Sequence, residues 1–222
     1  MPTLFITATD TGAGKTRVTG LLAKTLYDAG HTVVTQKWVQ TGLDGEEPDL
    51  AVHDRWSGLL YPESVGFARC PYGFGLAASP HLASEQVGIE IDPAVLAETT
   101  KALQSAYDWV LIEGSGGVLC PLTRNRCIID SVAELHIPAL LVVKNQVGCL
   151  NHTALSLEAL KYRGISVLGA IVSDVTPNTP DFVLDDNALW ISHHTPLLSR
   201  LAYGASTFDA PQRVLTALSG FF

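Results

Sequence analysis

Basic runs, long apolar runs and paired cysteines are all missing from this chain. Its 14 Lys and Arg against 22 Asp and Glu give a formal charge of −8, with no cluster of positive residues. Neither nucleic acid nor an anionic membrane surface is therefore expected as its main partner. No apolar stretch reaches the ~18 residues that a transmembrane helix needs. Met1-Pro2-Thr3-Leu4 enters an apolar strand with no basic n-region or cleavage site, so the expected location is the cytoplasm. Cys70, Cys120, Cys127 and Cys149 are scattered, without CxxC or zinc-type spacing. They are expected to be free thiols. Internal repeats and low-complexity segments are absent as well. What is there is 222 residues, 47% of them apolar, enough to build the core of one α/β domain over residues 1–222.

The apolar pattern alternates between two periods. Short runs at Leu4-Phe5-Ile6, 32–36, 107–113, 138–143 and 167–172 read as strands, the longer ones as buried parallel strands. Between them, helices are expected from Lys15 to about Ala29, 93–105, 130–134 and 151–162, and Pro177 and Pro180 break the chain before an apolar stretch at 184–191. A last helix is expected over about 210–218, after a short apolar run at 196–198. Gly30 suits the residue just past the first helix. Asp49 is expected to cap a helical stretch carrying Leu50, Val52, Trp56, Leu59 and Leu60, and Asn151 to cap a later helix. Residues 61–80, rich in Pro and Gly, read as a surface excursion, with a helix at 82–87. Repeated β–α alternation argues for a mostly parallel sheet with helices on both faces.

The strongest chemical signal is Thr9-Asp10-Thr11-Gly12-Ala13-Gly14-Lys15-Thr16, between the first strand and the first helix. Strand, glycine-rich turn and helix is the context of a phosphate-binding loop of the P-loop nucleotide hydrolases. Backbone amides there can face a polyphosphate. Lys15 can reach the β- and γ-phosphates, and the Thr16 hydroxyl can ligate Mg²⁺. Thr9 stands where the common pattern has its first glycine. Ligands of open α/β sheets sit beyond the carboxyl ends of strands. That rule places Lys37 and Thr41 near the loop, although Lys37 alone could be a solvated strand-end lysine. Glu113, followed by Gly114-Ser115-Gly116-Gly117, is a carboxylate at the tip of a buried strand. It suits Mg²⁺ binding or water activation, or simply a glycine-rich turn. At Gly148-Cys149-Leu150-Asn151-His152, helix capping and anion binding are equally open readings.

Taken in order, the loop, Lys37-x-x-x-Thr41-Gly42, Ser79-Pro80-His81, Glu113-Gly-Ser-Gly-Gly117 and Gly148-x-x-Asn151-His152 resemble the dethiobiotin synthetase family. The resemblance is good over about residues 3–175 and weaker beyond. It implies a homodimeric enzyme using ATP and Mg²⁺. That enzyme turns 7,8-diaminononanoate and CO₂ into dethiobiotin through a carbamate and a carbamic-phosphoric mixed anhydride. The resemblance assigns the triphosphate to Gly12, Ala13, Gly14, Lys15, Thr16 and Arg17, with Glu113, Gly114, Ser115 and Gly116 alongside. It assigns the base to Ser173 and Asp174, and the metal to Thr16, Asp49 and Glu113. Lys37 and Lys15 would act on the reacting groups. Thr11, Lys37, Thr41 and Ser79 would face the diamine, and Gly148, Cys149, Leu150 and Asn151 of the second subunit its carboxylate.

Several positions depart from that family's pattern. Ala8 and Trp38 replace its usual Gly and Pro, Ser173-Asp174 replaces Asn-Asp, and Leu201-Ala202-Tyr203 lacks the proline of the base-contacting segment. Asp54 and Asp44 compete with Asp49 for the metal. Two other kinds of protein share the core. The cobyrinic acid a,c-diamide synthases add a C-terminal glutaminase domain, for which the 222 residues leave no room. The partitioning ATPases carry a lysine early in the loop, where this chain has Asp10.

Overall fold

The structure, a computed structural model, describes residues 1–177 and 179–222. Its elements alternate as the apolar periods require. In chain order they begin β1 (Thr3–Ala8), α1 (Lys15–Asp28), β2 (Val33–Lys37), β3 (Val39–Gln40), α2 (Asp49–Ser57), α3 (Gly66–Arg69) and β4 (Tyr72–Gly73). There follow α4 (Pro80–Gln86), α5 (Pro93–Gln104), β5 (Trp109–Glu113), β6 (Pro121–Thr123), β7 (Arg126–Cys127) and α6 (Ile128–Glu134). The chain continues through β8 (Ala139–Asn145), α7 (Cys149–Tyr162), β9 (Val167–Asp174), α8 (Asp181–Ser192), β10 (Leu197–Leu201) and α9 (Pro211–Phe221).

Six strands form a parallel sheet in the order β10-β9-β8-β1-β5-β2. β5 lies between β1 and β2, so the tips of β1 and β2 are next-nearest neighbours. Successive side chains point to opposite faces of a strand, and this decides where the polar residues at the tips go. In β5, Trp109 and Leu111 pack on the side of α1, whereas Val110 and Ile112 pack on the other. Glu113 therefore faces α1. By the same count Val33 puts Lys37 on the α1 face of β2, and Leu140 with Val142 puts Lys144 there on β8. The opposite face is closed by α5, α6 and α7 through Leu96, Leu103, Ile129 and Leu160.

Several boundaries differ from the sequence expectations, each for a local reason. Asp49 is the first residue of α2, and Pro48 is its N-cap. Proline's fixed φ, here −57° with a non-helical ψ of 135°, ends the loop and leaves the Asp49 carboxylate free to turn inward. Asn151 is likewise not a cap: Gly148, with φ +95°, caps α7 three residues earlier than expected. Ser173 and Asp174 belong to β9 itself, because β8 pairs with it up to Asn145. Residues 61–80 are only partly a surface excursion. β4 pairs with β3, and both Phe74 and Arg69 are buried. Arg69 donates to the Thr35 carbonyl at 3.1 Å, pairs with Asp54 at 2.5 Å and lies 3.8 Å from the centre of the Tyr61 ring. Trp38 is a core residue, its ring centre 5.6 Å from that of Phe5 and its Nε1 donating to Thr100 at 3.0 Å.

α2 rests on α1 at Gly20, and this contact sets how deep Asp49 reaches. A Cβ on Gly20 would come within 2.6 Å of the Trp56 Cβ and 3.1 Å of the His53 carbonyl oxygen. Helix propensity favours alanine over glycine by ~1 kcal/mol, and overpacking costs about 1–3 kcal/mol. The clash is with a Cβ and a backbone atom, neither of which can swing away, so it wins. Gly20→Ala is expected to lower the urea midpoint with an unchanged m-value.

Candidate active site

The loop after β1 reaches α1 through Gly14, whose φ of +93° is left-handed and where a Cβ would stand 2.9 Å from Ser173 Oγ. Only glycine fits both demands. No side chain caps α1. Among the described residues the amides from Gly12 to Arg17 are left for an anion, at the positive end of the helix dipole, whereas the Thr9 and Thr11 amides donate to the Val142 carbonyl and the Asp10 carboxylate.

Around this start lies a cluster of charged groups. Lys37 at the tip of β2 pairs with Asp49 Oδ2 at 2.7 Å and Glu113 Oε1 at 3.0 Å, and donates to the Gly114 carbonyl at 3.1 Å. Register explains the second contact, since Lys37 and Glu113 are direct partners across β2 and β5. The Thr16 hydroxyl lies 3.0 Å from Asp49 Oδ1 and 3.1 Å from Glu113 Oε1. Lys15 Nζ donates to the Gly116 carbonyl at 2.7 Å. Lys15 with Thr16, Lys37, Asp49 and Glu113, from four separate stretches of the sequence, thus meet on one face of the sheet.

Burial alone would push the Glu113 carboxyl up, but Lys37, the His53 hydrogen bond and Lys15 hold it well below the usual carboxylate range. Burial also works against the Lys37 ammonium; Glu113 and Asp49 outweigh it and raise its pKa. For Lys15 burial prevails. With Glu113 opposing and Lys37 adding repulsion, its pKa falls to about 8.

Two members of the cluster carried no signal in the sequence. His53 is fully buried on α2, and its Nε2 lies 2.5 Å from Glu113 Oε2. An ionised carboxylate can only accept, so His53 donates. Its Nδ1 finds no partner among the described residues. Gln40, also buried, accepts the Asp49 amide at 3.0 Å and so fixes the start of α2. Both would read as ordinary core or loop polar residues, since their partners come from distant segments.

The competing aspartates separate clearly. Asp54 is held by Arg69, Asp44 is exposed beside Gly75, and Asp49 faces Thr16. Thr16, Asp49 and Glu113 offer a hydroxyl and two carboxylates, the hard oxygen donors that suit Mg²⁺, which takes few protein ligands and completes its shell with phosphate and water. Ser115 donates to the Val39 carbonyl at 2.7 Å, tying the turn after β5 to β3. Ser79 caps α4 and lies 3.0 Å from His81 Nδ1, with no hydrogen bond to the cluster among the described residues. His152, on the first turn of α7, shares a cleft with Thr9, Gly117 and Cys120. At the other end of the loop, Arg17 donates to the Ala202 carbonyl at 3.1 Å. A cavity of about 550 Å³ opens there between Asp174, Leu184, Arg200, Tyr203 and Phe208. Asp174 is already engaged on both oxygens, by Asn145 Nδ2 and by Arg200 Nε, each at 2.7 Å.

Two outcomes follow from these contacts. Phosphate favours the Lys15 ammonium, so nucleotide binding takes up a proton once the free lysine has lost it. Nucleotide affinity should weaken as the pH rises past about 8. Calorimetry in buffers of different ionisation enthalpy will register the uptake. Replacing His53 by leucine leaves a buried carboxylate oxygen without its donor, and a loss of about 2 kcal/mol in urea unfolding is expected, with glutamine restoring part of it.

Comparison with known proteins places this geometry. The AAA_26 family model, described as an AAA domain, matches residues 2–204. The septum site-determining protein MinD of Pyrococcus horikoshii, a complex with Mg-ADP, superposes over 99% of this chain and 86% of its own, with a TM-score of 0.55 and 22% identity. A ParA family ATPase from Chlorobium tepidum superposes over 98% and 90%, with a TM-score of 0.57 and 15% identity. At such identities the likeness shows the fold alone, that of the P-loop nucleotide hydrolases. Among curated sequences, the chain is 40% identical to the ATP-dependent dethiobiotin synthetase BioD 2 of Haemophilus influenzae, over 76% of this chain and 88% of that protein. It is 44% identical to the ATP-dependent dethiobiotin synthetase BioD of Chlorobaculum tepidum, over 74% and 69%. With that identity over most of both chains, and with its P-loop fold, the chain belongs to the dethiobiotin synthetase family.

Proposed function

We propose that the site joins CO₂ to 7,8-diaminononanoate and closes the ureido ring of dethiobiotin at the expense of ATP. The observation that carries this reading is the placement of Lys37, held between Asp49 and Glu113, the two carboxylates that Thr16 of the phosphate-binding loop also touches, in a chain of this family. One amine and CO₂ form a carbamate with release of a proton. A carbamate oxygen attacks the γ-phosphorus, and ADP leaves. The second amine then attacks the carbamoyl carbon, and phosphate leaves as the ring closes.

Phosphoryl transfer of this kind needs positioning and charge stabilisation. Loop amides from Gly12 to Arg17, with Lys15, would hold the triphosphate, and Gly114, Ser115 and Gly116 would border it. Thr16, Asp49 and Glu113 would hold Mg²⁺, which supplies charge neutralisation at the phosphates. Lys37 keeps its ammonium through its two carboxylate partners and is ready to face the carbamate and the transferring phosphoryl group. A cation fixed where negative charge develops is worth several kcal/mol in such a site. Thr11, Thr41 and Ser79 would orient the diamine. Ser173 and the cavity beside Arg200 would receive the base, with Asp174 shaping its floor through Arg200.

The diamine's distant carboxylate would lie at Gly148–Asn151 of a second copy in a homodimer. Support comes from the start of α7, which like α1 has a left-handed glycine cap and no capping side chain, and from the exposed apolar Leu155 and Tyr162 along that helix. We place the reaction in the cytoplasm, where ATP and small soluble substrates meet.

Incubation with MgATP, bicarbonate and 7,8-diaminononanoate, followed by mass spectrometry, is expected to show dethiobiotin with one phosphate released per ring. ATP hydrolysis that ignores the diamine would overturn the reading. Lys37→Ala is expected to reduce turnover by about a hundredfold or more while ATP binding persists.

A further inference from the structure

A third lysine stands at the loop. Lys144 occupies the carboxyl end of β8, on the same face of the sheet as Glu113 and Lys37. Across β8 and β9 its register partner is Ser173, the residue that touches Gly14. Its Nζ lies 3.9 Å from where a Cβ on Gly12 would stand, so the ammonium hangs over the glycine-rich turn. Two hydrogen bonds hold the strand tip to the loop. The Thr9 amide donates to the Val142 carbonyl at 3.0 Å, and the Lys144 amide donates to the Thr9 hydroxyl at 3.1 Å. A glycine at position 9, as in the common form of the loop, could not accept the second bond.

The charge of Lys144 is what sets it apart from its neighbours. Lys15 donates to the Gly116 carbonyl, Lys37 is paired with Asp49 and Glu113, and Arg200 with Asp174 and Asp185. Among the described residues Lys144 has no carboxylate partner and its ammonium donates to no acceptor. Yet it stands beside the positive end of α1. An unpaired cation next to a helix N-terminus is unfavourable by itself and becomes favourable when an anion arrives between them.

We propose that Lys144 contacts the phosphate chain of the bound nucleotide as an additional binding residue, and that the Thr9 hydroxyl positions it. This rests on nucleotide binding at the loop and not on the identity of the second substrate. Each lysine then has a separate place. Lys15 comes from the helix start, Lys37 approaches from the β2 side where the acceptor enters, and Lys144 closes the β8 side of the turn.

The test is calorimetric titration of the full chain with MgATP and MgADP, without diamine, at several salt concentrations. Lys144→Met keeps the length of the side chain and removes the charge. It is expected to weaken both nucleotides about tenfold, the size of one charge-assisted hydrogen bond. Its affinity should also vary less steeply with salt than the wild type, because one screened charge contact is gone. Lys144→Arg should bind within about threefold of wild type. Thr9→Val should weaken binding by a smaller factor, and the double variant should bind no worse than Lys144→Met alone. Thermal melts, unchanged for the variants of the partly buried Lys144, separate binding from folding. Wild-type affinity and salt dependence in Lys144→Met would overturn the proposal. Additive losses in the double variant would overturn the role of Thr9. Formation of dethiobiotin by the wild type is measured separately, so a failure of that reaction is distinguishable from a failure here.

Discussion

A carboxylate with 1% of its surface exposed stands at the tip of β5, and most of the site is arranged around it. An ionised group so deep is tolerated only where partners replace its water. Glu113 has three, from three segments: Lys37 on β2, His53 on α2 and Thr16 on α1. Removing one partner of a buried ion pair commonly costs about 3–5 kcal/mol, because the remaining charge is stranded. The same interactions that make the carboxylate tolerable therefore pull α2 and β2 onto the start of α1. Asp49 arrives with α2 and gives Lys37 its second partner.

This arrangement stores charge in balance until a substrate comes. Two carboxylates face two ammoniums, and Lys15 and Lys37 are each occupied by protein groups. A triphosphate with its metal would redistribute those partners without demanding that the backbone move far, since the groups already lie about one hydrogen bond from each other. Preorganised charges of this kind are effective because their orientation cost is met during folding. Buried, largely apolar strands below the cluster keep it rigid, with Leu111 and Ile112 immediately beneath Glu113 on the two faces of β5.

The parity of parallel strands accounts for how residues from distant segments share one face. Lys37, Glu113 and Lys144 each end a buried strand whose alternation is set by the two cores, through Val33 and Val34 in β2 and through longer apolar runs in β5 and β8. A one-residue shift at any tip would send its side chain to the α5–α7 side, where Gln36 and Trp38 are found. Gln36 shows the consequence: it is as buried as Lys37 but bonds to Thr99, Thr100 and the Ala68 carbonyl, away from the loop.

Local patterns and spacing in the sequence determined the α/β class, the phosphate loop, the β–α alternation and the set of motifs that resemble one family. These are legible because each depends on residues within a few positions of one another: Gly14 before Lys15 and Thr16, or an apolar run ending in Glu113 and glycines. Only the tertiary structure decided which strand neighbours which, that Asp49 and not Asp54 meets Thr16, that Pro48 and Gly148 cap their helices, and that His53, Gln40 and Lys144 belong near the site. Asp54 and Asp49 are chemically alike in sequence. Arg69, 15 residues beyond Asp54, takes one and leaves the other facing the loop. A lone histidine or strand-end lysine likewise has no meaning until the sheet brings it a partner. Burial and ion pairing are properties of contacts between remote segments, and a linear pattern carries them only where the spacing happens to be local.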